Sequence, residues 1–285
     1  MDEPRRPAPS PARSDAPEPG VRLPPLLLDD VARVLAEVAG MSLRDGLDPR
    51  LVDGLDDAAR ASGLALRVFA RQVVARDPRA IEALVEHVVV SETAFWRHPE
   101  QLAAVGRIAA AAVRPLAIWS AGCATGEEPY SVAIALLEAG RAGRGDRILA
   151  TDVSARALDT ARKAGYGVRP LRRLPHDVAG RWMEGIAGAS DLRVCREARA
   201  LVTFARHNLV GEEPPPAGPF DVVLCRNVLI YFDGSTAAEV LRRLVAALAP
   251  GGRLVLGPFE LPLGEAAGLR AVDEGGATLL AAPGR

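Results

Sequence analysis

The sequence is poor in the residues that build metal centres and disulfide frameworks. Its 285 residues include 3 cysteines and 4 histidines. Cys123, Cys195 and Cys225 are far apart and odd in number, whereas disulfide frameworks and zinc sites need cysteines at characteristic spacings. The histidines are equally scattered and lack the ligand spacings of known metal sites. We therefore expect reduced thiols and no bound metal.

Long apolar runs and an excess of charge of one sign are also absent. No apolar run approaches the roughly 20 residues of a membrane-spanning helix, and the N-terminus lacks the hydrophobic region of a signal peptide. The formal net charge is -1 and the pI is about 6.5, whereas nucleic-acid-binding proteins usually carry a basic surface. These features predict a cytoplasmic protein that neither inserts into a membrane nor binds nucleic acid. We expect a monomer, since the sequence carries no clear sign of an oligomer.

Composition and apolar spacing divide the chain into predicted parts. Residues 1–27 are rich in proline and charge and lack a periodic apolar pattern, which predicts a disordered tail. Residues 28–90 carry apolar side chains at helical spacing, which predicts a small helical domain. Residues 91–114 form a linker and a helix, and residues 115–285 form the main domain. Interrupted apolar runs at 165–200 predict a small β subdomain inserted into that domain.

Short polar residues mark several predicted helix starts. Asp48-Pro49 and Asp77-Pro78 each combine a capping residue with a proline at the first helical position. Ser154, just after the second predicted strand of the main domain, is expected to cap the helix that follows it.

The stretch IWSAGCATGEEPYSVAIALL, from Ile118 to Leu137, reads as a buried strand, a glycine-bearing turn and a helix. Gly122 and Gly126 allow the backbone to bend and to approach a ligand where a Cβ atom would intrude. Thr125 and Glu128 have the spacing of a capping box at the start of the helix. We expect this turn to present free backbone N–H groups to a ligand.

The turn lacks two common phosphate-binding patterns. It contains neither Gly-x-Gly-x-x-Gly nor a Gly-Lys-Ser/Thr ending, which disfavours a dinucleotide and a nucleoside triphosphate. Glu127 and Glu128 stand where a phosphate would lie. Acidic side chains there favour a ligand with hydroxyl groups and a positive centre, such as S-adenosylmethionine. Asp152, 26 residues after Gly126, follows a second strand and is placed to hold ribose hydroxyls.

Strands alternate with helices through the main domain, which predicts a parallel sheet with right-handed crossovers and an antiparallel hairpin at its edge. The fold class is therefore α/β, a Rossmann-like class I methyltransferase fold with a mostly parallel sheet, preceded by a small all-α domain. Gly122, Asp152, Asn208 and Cys225 all fall at predicted strand ends, where ligands bind in such sheets.

Five segments of the chain together resemble the CheR family of chemotaxis receptor methyltransferases. They are Ser91–Arg97, Trp119–Ser131, Ala150–Asp152, His207–Leu209 and Cys225–Asp233. The resemblance covers residues 28–283 in order. Its GEEPYS and CRNVLIYFD sequences are highly specific.

The resemblance implies transfer of a methyl group from S-adenosylmethionine to glutamate side chains in the acidic methylation region of a chemoreceptor or another signalling protein. It places cofactor contacts on Ser91, Thr93, Arg97, Glu128, Asp152, Asn208, Leu209, Cys225 and Arg226. Arg97 and Tyr231 are the implied catalytic residues. Arg97 can pair with a carboxylate, and the Tyr231 hydroxyl can orient the acceptor.

Further roles are expected for the implied cofactor contacts. Asp152 can accept hydrogen bonds from both ribose hydroxyls, while Asn208 and the backbone around Leu209 and Cys225 can frame the adenine. A glutamate is already ionised at neutral pH, so alignment is the main catalytic device.

Two alternatives stay open at this point. A small-molecule O-methyltransferase is compatible with the sheet, because this fold hosts many activities. A non-catalytic module that binds S-adenosylmethionine or S-adenosylhomocysteine is compatible with departures from the family pattern, namely Ser91 and the acidic second helix with Asp53, Asp56 and Asp57.

Overall fold

The structure, a computed structural model, describes residues 23–42, 48–211 and 218–282. Residues 1–22 of the predicted tail lie outside the described residues. The remainder of that tail is partly helical, because the first helix begins at Pro25 and not at Leu28. Proline suits the first helical turn, where the N–H group that it lacks would have no intrahelical partner. The first helix therefore begins three residues before the predicted boundary at residue 28.

The helices that precede the sheet pack around a core of their own. They are α1 (Pro25–Ala39), α2 (Pro49–Ala61), α3 (Leu66–Val74) and α4 (Pro78–Val88). The Asp48 carboxylate accepts a hydrogen bond from the N–H of Arg50, and Asp77 accepts one from the N–H of Ala80. Each aspartate thus satisfies an N–H group of the first turn, and both Asp-Pro pairs start helices as predicted.

Helices and strands alternate in the rest of the described chain. The helices are α5 (Pro99–Ala111), α6 (Glu127–Glu138), α7 (Ala155–Lys163), α8 (Val168–Leu171), α9 (His176–Trp182), α10 (Arg196–Ala200), α11 (Gly234–Ala246) and α12 (Leu261–Ala266). The strands are β1 (Ala117–Ala121), β2 (Arg147–Asp152), β3 (Gly165–Tyr166), β4 (Met183–Gly185), β5 (Leu192–Val194), β6 (Val202–Arg206), β7 (Phe220–Cys225), β8 (Leu248–Leu256), β9 (Arg270–Asp273) and β10 (Thr278–Ala281). Short 3-10 helices span Leu229–Tyr231 and Pro258–Glu260.

The large sheet has the strand order β6, β2, β1, β7, β8, β10, β9. The neighbours from β6 to β8 are parallel, and the β9–β10 hairpin adds an antiparallel edge. This confirms the predicted α/β fold with a mostly parallel sheet. Because the strands are parallel, the carboxyl ends of β1, β2, β6 and β7 meet at one edge of the sheet.

Strand β1 lies in the middle of the sheet and is buried on both faces. Ile118 joins the hydrophobic core on the side of α5 and α6. Trp119 packs on the opposite side beside Phe220, with 5.6 Å between the ring centroids. Its Nε1–H donates to Thr151 Oγ1 at 2.9 Å. Two covered faces explain why β1 is apolar at successive positions.

A small antiparallel sheet with the order β3, β5, β4 lies between Gly165 and Val194. Tyr166 of β3 packs its ring edge-on against Phe95, with 4.8 Å between centroids. The Tyr166 hydroxyl donates to the carbonyl of Thr125 at 2.7 Å. The small sheet is therefore fixed to both the linker and the glycine turn. The division of the chain into domains stays a prediction.

Glu86 of α4 connects the N-terminal helices to the sheet. Its carboxylate accepts hydrogen bonds from the Ser154 hydroxyl at 2.5 Å and from the N–H of Ala155 at 2.6 Å. Ser154 itself accepts from the N–H of Ala157, as predicted for the cap of α7. The start of α7 thus has one cap from its own sequence and a second from α4, which suits the positive end of a helix.

Candidate active site

A cavity of about 1000 Å³ opens at the carboxyl ends of the central strands. The linker Ser91–Arg97 borders one side, and the segment Arg226–Phe232 borders another. Nine of the predicted site residues line it: Ser91, Thr93, Arg97, Glu128, Asp152, Asn208, Leu209, Arg226 and Tyr231. The side chain of Cys225 is fully buried in the hydrophobic core, so the expected contact of its backbone with the adenine stays a prediction.

Gly122 and Gly126 have positive φ angles of 77° and 95°, which side chains rarely adopt. A Cβ atom on Gly122 would lie 2.5 Å from a methyl group of Val228, and one on Gly126 would lie 2.8 Å from the Cβ of Ala161. These glycines therefore serve a backbone conformation and close packing within the protein. Their expected role in allowing a ligand to approach the backbone stays a prediction.

The prediction of free N–H groups in the glycine turn is wrong for several positions. The N–H groups of Gly122 and Cys123 donate to the carbonyl of Thr151, at 2.8 and 2.9 Å. The N–H of Ala124 donates to Asp152 Oδ2 at 2.8 Å. The turn folds back over the end of β2, which uses these donors inside the protein and fixes the Asp152 carboxylate.

The predicted capping box between Thr125 and Glu128 does not form. Helix α6 begins after Gly126 without a side-chain cap. Glu128 instead accepts from the Ser120 hydroxyl at 2.7 Å and from Arg226 Nε at 2.6 Å. A buried guanidinium needs a carboxylate partner more than a helix start needs a side-chain cap, so the tertiary contact prevails.

Arg226 connects several walls of the cavity. Besides its ion pair with Glu128, its Nη1 donates to the carbonyl of Arg97 at 2.6 Å and to Gln101 Oε1 at 3.1 Å. Gln101 in turn donates to the carbonyl of Leu256 at 2.8 Å. Sequence reasoning missed Gln101, whose only signal is a polar residue on the buried face of α5.

The Arg97 side chain lines the cavity and is partly exposed. Its backbone carbonyl is bonded to Arg226. Within the described residues, no carboxylate lies at ion-pair distance from its guanidinium. The cavity therefore contains a cation that can receive an anionic group.

Asp152 is a buried carboxylate at the end of β2. Its oxygens accept from the N–H groups of Ala124 and Ser154, at 2.8 and 2.9 Å. Burial raises the pKa of Asp152, and the backbone hydrogen bonds oppose that rise. Each carboxylate oxygen can accept a further hydrogen bond, which leaves capacity for two hydroxyl donors.

Asn208 and Leu209 line the cavity after β6. The Asn208 Nδ2 donates to the carbonyl of Val38 at 2.7 Å, and its Oδ1 accepts from the N–H of Val210 at 3.1 Å. These contacts tie α1 to the cavity wall. One N–H and one lone pair of the amide remain for a ligand, so contact with the adenine stays a prediction.

The Tyr231 side chain is half-buried at the cavity wall. The Arg50 guanidinium carbon lies 5.8 Å from the centre of its ring, and Arg50 is paired with Asp48 at 2.6 Å. Burial raises the pKa of Tyr231, whereas the nearby positive charge of Arg50 lowers it to a smaller extent. The hydroxyl is therefore a neutral hydrogen-bond donor at physiological pH.

Glu260 is fully buried and organises the segment that carries Tyr231. Its Oε2 accepts from the N–H of Asn227 at 2.7 Å, and its Oε1 accepts from the N–H groups of Val228 at 2.9 Å and Leu229 at 2.8 Å. The N–H of Gly257 donates to the same carboxylate. Sequence reasoning gave Glu260 no role, although a lone acidic residue in the apolar stretch GPFELPL is an available signal.

The sequence of the chain matches a known protein family. Residues 91–267, more than half of the chain, match the family described as CheR methyltransferase, SAM binding domain. The chain belongs to the CheR methyltransferase family. This confirms the predicted resemblance, the methyltransferase activity and S-adenosylmethionine as the cofactor.

Two relatives that are named chemotaxis protein methyltransferases agree with this assignment. Chemotaxis protein methyltransferase 2 of Pseudomonas aeruginosa is 39% identical over 191 residues, which cover 65% of this chain and 68% of the relative. The chemotaxis protein methyltransferase of Salmonella typhimurium is 32% identical over 235 residues, which cover 81% of this chain and 82% of the relative. Among solved structures, a TehB-like SAM-dependent methyltransferase from Corynebacterium glutamicum is 17% identical with a TM-score of 0.37, covering 62% of this chain and 84% of the other.

The side chains of this CheR-family site fit the chemical groups of S-adenosylmethionine. Asp152 has acceptor capacity for hydroxyls, and Arg97 can receive a carboxylate. Within the described residues, no cluster of histidine, cysteine and acidic side chains could hold a metal ion. In the same ranges, no helix is both long and apolar enough to cross a membrane.

Proposed function

We propose that this CheR-family enzyme methylates glutamate side chains in an acidic region of a chemoreceptor or a related signalling protein, forming glutamate methyl esters. The observation that carries the proposal is the Arg97 guanidinium, which lines the cofactor cavity without a carboxylate partner among the described residues. A protein glutamate supplies the anion that such a cation can bind. The names of the two chemotaxis relatives support a receptor as the substrate.

The chemistry demands positioning more than proton transfer. S-adenosylmethionine supplies an electrophilic methyl group on its sulfonium. The acceptor carboxylate is ionised at neutral pH, so no side chain has to remove a proton. Arg97 binds the acceptor or the methionyl carboxylate, and the Tyr231 hydroxyl donates to the acceptor. Their contribution is alignment and exclusion of water.

The remaining cavity residues hold the cofactor in this proposal. Asp152 accepts from the ribose hydroxyls, and Asn208 and Leu209 contact the adenine. Ser91 and Thr93 contribute hydroxyl groups from the linker, while Glu128 and Arg226 form the rigid floor. The enzyme acts in the cytoplasm as a monomer.

Calorimetric titration tests the cofactor assignment directly. We expect Asp152→Ala to weaken S-adenosylhomocysteine binding by about 10- to 100-fold, the effect of losing hydrogen bonds to a charged group. Asp159→Ala is the matched control, because Asp159 is an exposed carboxylate on α7. Unchanged binding in Asp152→Ala would contradict the assigned ribose contact.

Methyl-labelled cofactor and an acidic receptor fragment test the reaction. We expect the label to enter the fragment and to be released as methanol by alkali, because carboxylic esters hydrolyse in base. An alkali-stable product would exclude a glutamate ester. Methyl transfer to a small molecule when the receptor fragment is left out would support the small-molecule alternative. Binding of the cofactor without any methyl transfer would support a non-catalytic module.

A further inference from the structure

Three exposed arginines that are close in sequence line part of the cavity opening. Arg169 of α8 and Arg172 and Arg173 just after it all line the opening and are exposed to solvent. Arg169 makes a long 3.4 Å contact with Glu92, and both side chains are more than three-quarters exposed. Such a pair binds weakly and exchanges readily with other partners. We name Arg169, Arg172 and Arg173 the arginine rim.

The rim has a fixed position relative to the active site. Leu174 is buried and Leu171 packs against the same core, which anchors the segment while the arginines face solvent. The N–H of Phe95 donates to the carbonyl of Pro170 at 3.2 Å. Because Arg97 lies two residues after Phe95 in the same linker, the rim and Arg97 belong to one connected wall.

Acidic side chains do little to neutralise this wall. The acidic residues that line the cavity are Glu92, Glu127, Glu128 and Asp152, and of these only Glu92 is exposed. Glu128 is already paired with Arg226. The mouth therefore has an excess of positive charge, although the whole chain has a net charge of -1.

The solvent face of α2 has the opposite character. Asp53 is exposed, and Asp56 and Asp57 share Arg60 as their ion-pair partner. Arg50 is occupied by Asp48. A segment with several carboxylates would be repelled by this face and attracted to the rim.

We propose that the arginine rim recognises carboxylates that flank the glutamate to be methylated, so that the favoured partner is a peptide segment dense in acidic residues. The proposal rests on the proposed function. The lining of the same cavity also includes Ile230, an apolar residue that is 52% exposed. The segment would thus place its acidic side on the rim and an apolar side chain against Ile230.

Binding of a fluorescein-labelled peptide of ten glutamates, measured by anisotropy with saturating S-adenosylhomocysteine, tests the rim without requiring turnover. We expect the charge reversal Arg169→Glu, Arg172→Glu, Arg173→Glu to weaken peptide binding by at least about tenfold and to flatten its salt dependence. The matching triple glutamine variant should show a smaller loss in the same direction. S-adenosylhomocysteine affinity reports that either variant is folded.

The control variant reverses the charge at two exposed arginines near the amino end of β2, away from the cavity, by Arg144→Glu and Arg147→Glu. We expect this variant to bind the peptide like the unaltered protein. Equal losses in rim and control variants, unchanged binding in both rim variants, or failure of the unaltered protein to bind the peptide would each overturn the proposal. Peptide binding without methyl transfer to any protein would instead contradict the proposed function and leave the rim supported.

Discussion

Glu128 and Arg226 form a buried ion pair across the floor of the cavity, with 2.6 Å between Oε2 and Nε. The two side chains come from α6 and from the segment after β7, 98 residues apart in sequence. The Ser120 hydroxyl donates a hydrogen bond to the other oxygen of the Glu128 carboxylate. The pair therefore connects the elements that follow β1 and β7 at the wall of the cavity.

We expect Glu128→Gln to destabilise the protein by about 3–5 kcal/mol, because it leaves the Arg226 charge buried without a partner. Urea unfolding measures this change. The control Asp30→Asn removes the exposed ion pair with Arg33 and should change stability by less than about 1 kcal/mol. Equal effects of the two substitutions would show that the buried pair has no special role.

Glu260→Gln should both destabilise the protein and reduce methyl transfer. The substitution removes the charge from a carboxylate that accepts hydrogen bonds from several backbone N–H groups. Hydrogen bonds to charged groups contribute about 1.5–3 kcal/mol each to stability. The loss of transfer should exceed the loss of cofactor affinity, because the segment that carries Tyr231 is displaced. Glu265→Gln, at an exposed position of α12, should leave both quantities unchanged.

Gly122→Ala combines an unfavourable φ angle with a 2.5 Å contact to Val228. The strain alone costs about 1–3 kcal/mol. Gly188 offers a matched control, because its φ is 75° and a Cβ atom added there would have no other atom within 4 Å. We expect Gly188→Ala to show the strain alone and Gly122→Ala to be more destabilising in thermal unfolding. Adding Val228→Ala should recover the difference between them, and no recovery would exclude the contact as the cause.

Tyr231→Phe should lower kcat by about 10- to 100-fold through loss of a hydrogen bond to the acceptor carboxylate. In the unaltered enzyme, kcat should be constant between about pH 6 and pH 9, because the acceptor is already ionised. Burial raises the pKa of Tyr231 above its ordinary value of 10.0, so the hydroxyl keeps its proton over this range. The donor is lost only as the pH rises through the raised pKa. A kcat that rises steeply near neutral pH would contradict this mechanism, since it requires a side chain acting as a base.

Local sequence signals predicted the features that depend on neighbouring residues. Asp48, Asp77 and Ser154 each cap the helix that follows them, and the alternation of strands and helices indicated the parallel sheet. Such signals work because the donor and acceptor are within a few positions of each other. The nine predicted site residues that line one cavity came mainly from the resemblance to the CheR family and not from these local signals.

Contacts between distant parts of the chain account for what was wrong or missed. Thr125 and Glu128 have the spacing of a capping box, but Arg226 takes the Glu128 carboxylate. The sequence near Glu260 does not indicate its partners, because several of the N–H groups that donate to it lie about thirty residues earlier in the chain. No periodicity in one segment can indicate a partner in another, so these roles required the folded arrangement.

Because Glu86 of α4 binds Ser154 and Ala155, removing the N-terminal helices would affect the main domain as well. A fragment restricted to residues 91–267, the part matched by the family, would retain Asp152 but lose the carboxylate that binds Ser154 and Ala155. The Ser154 hydroxyl and the Ala155 N–H, which Glu86 now binds, would face water next to Asp152 at the end of β2. The part of the chain that the family matches, residues 91–267, is thus shorter than the part that shields this edge of the proposed cofactor site from water.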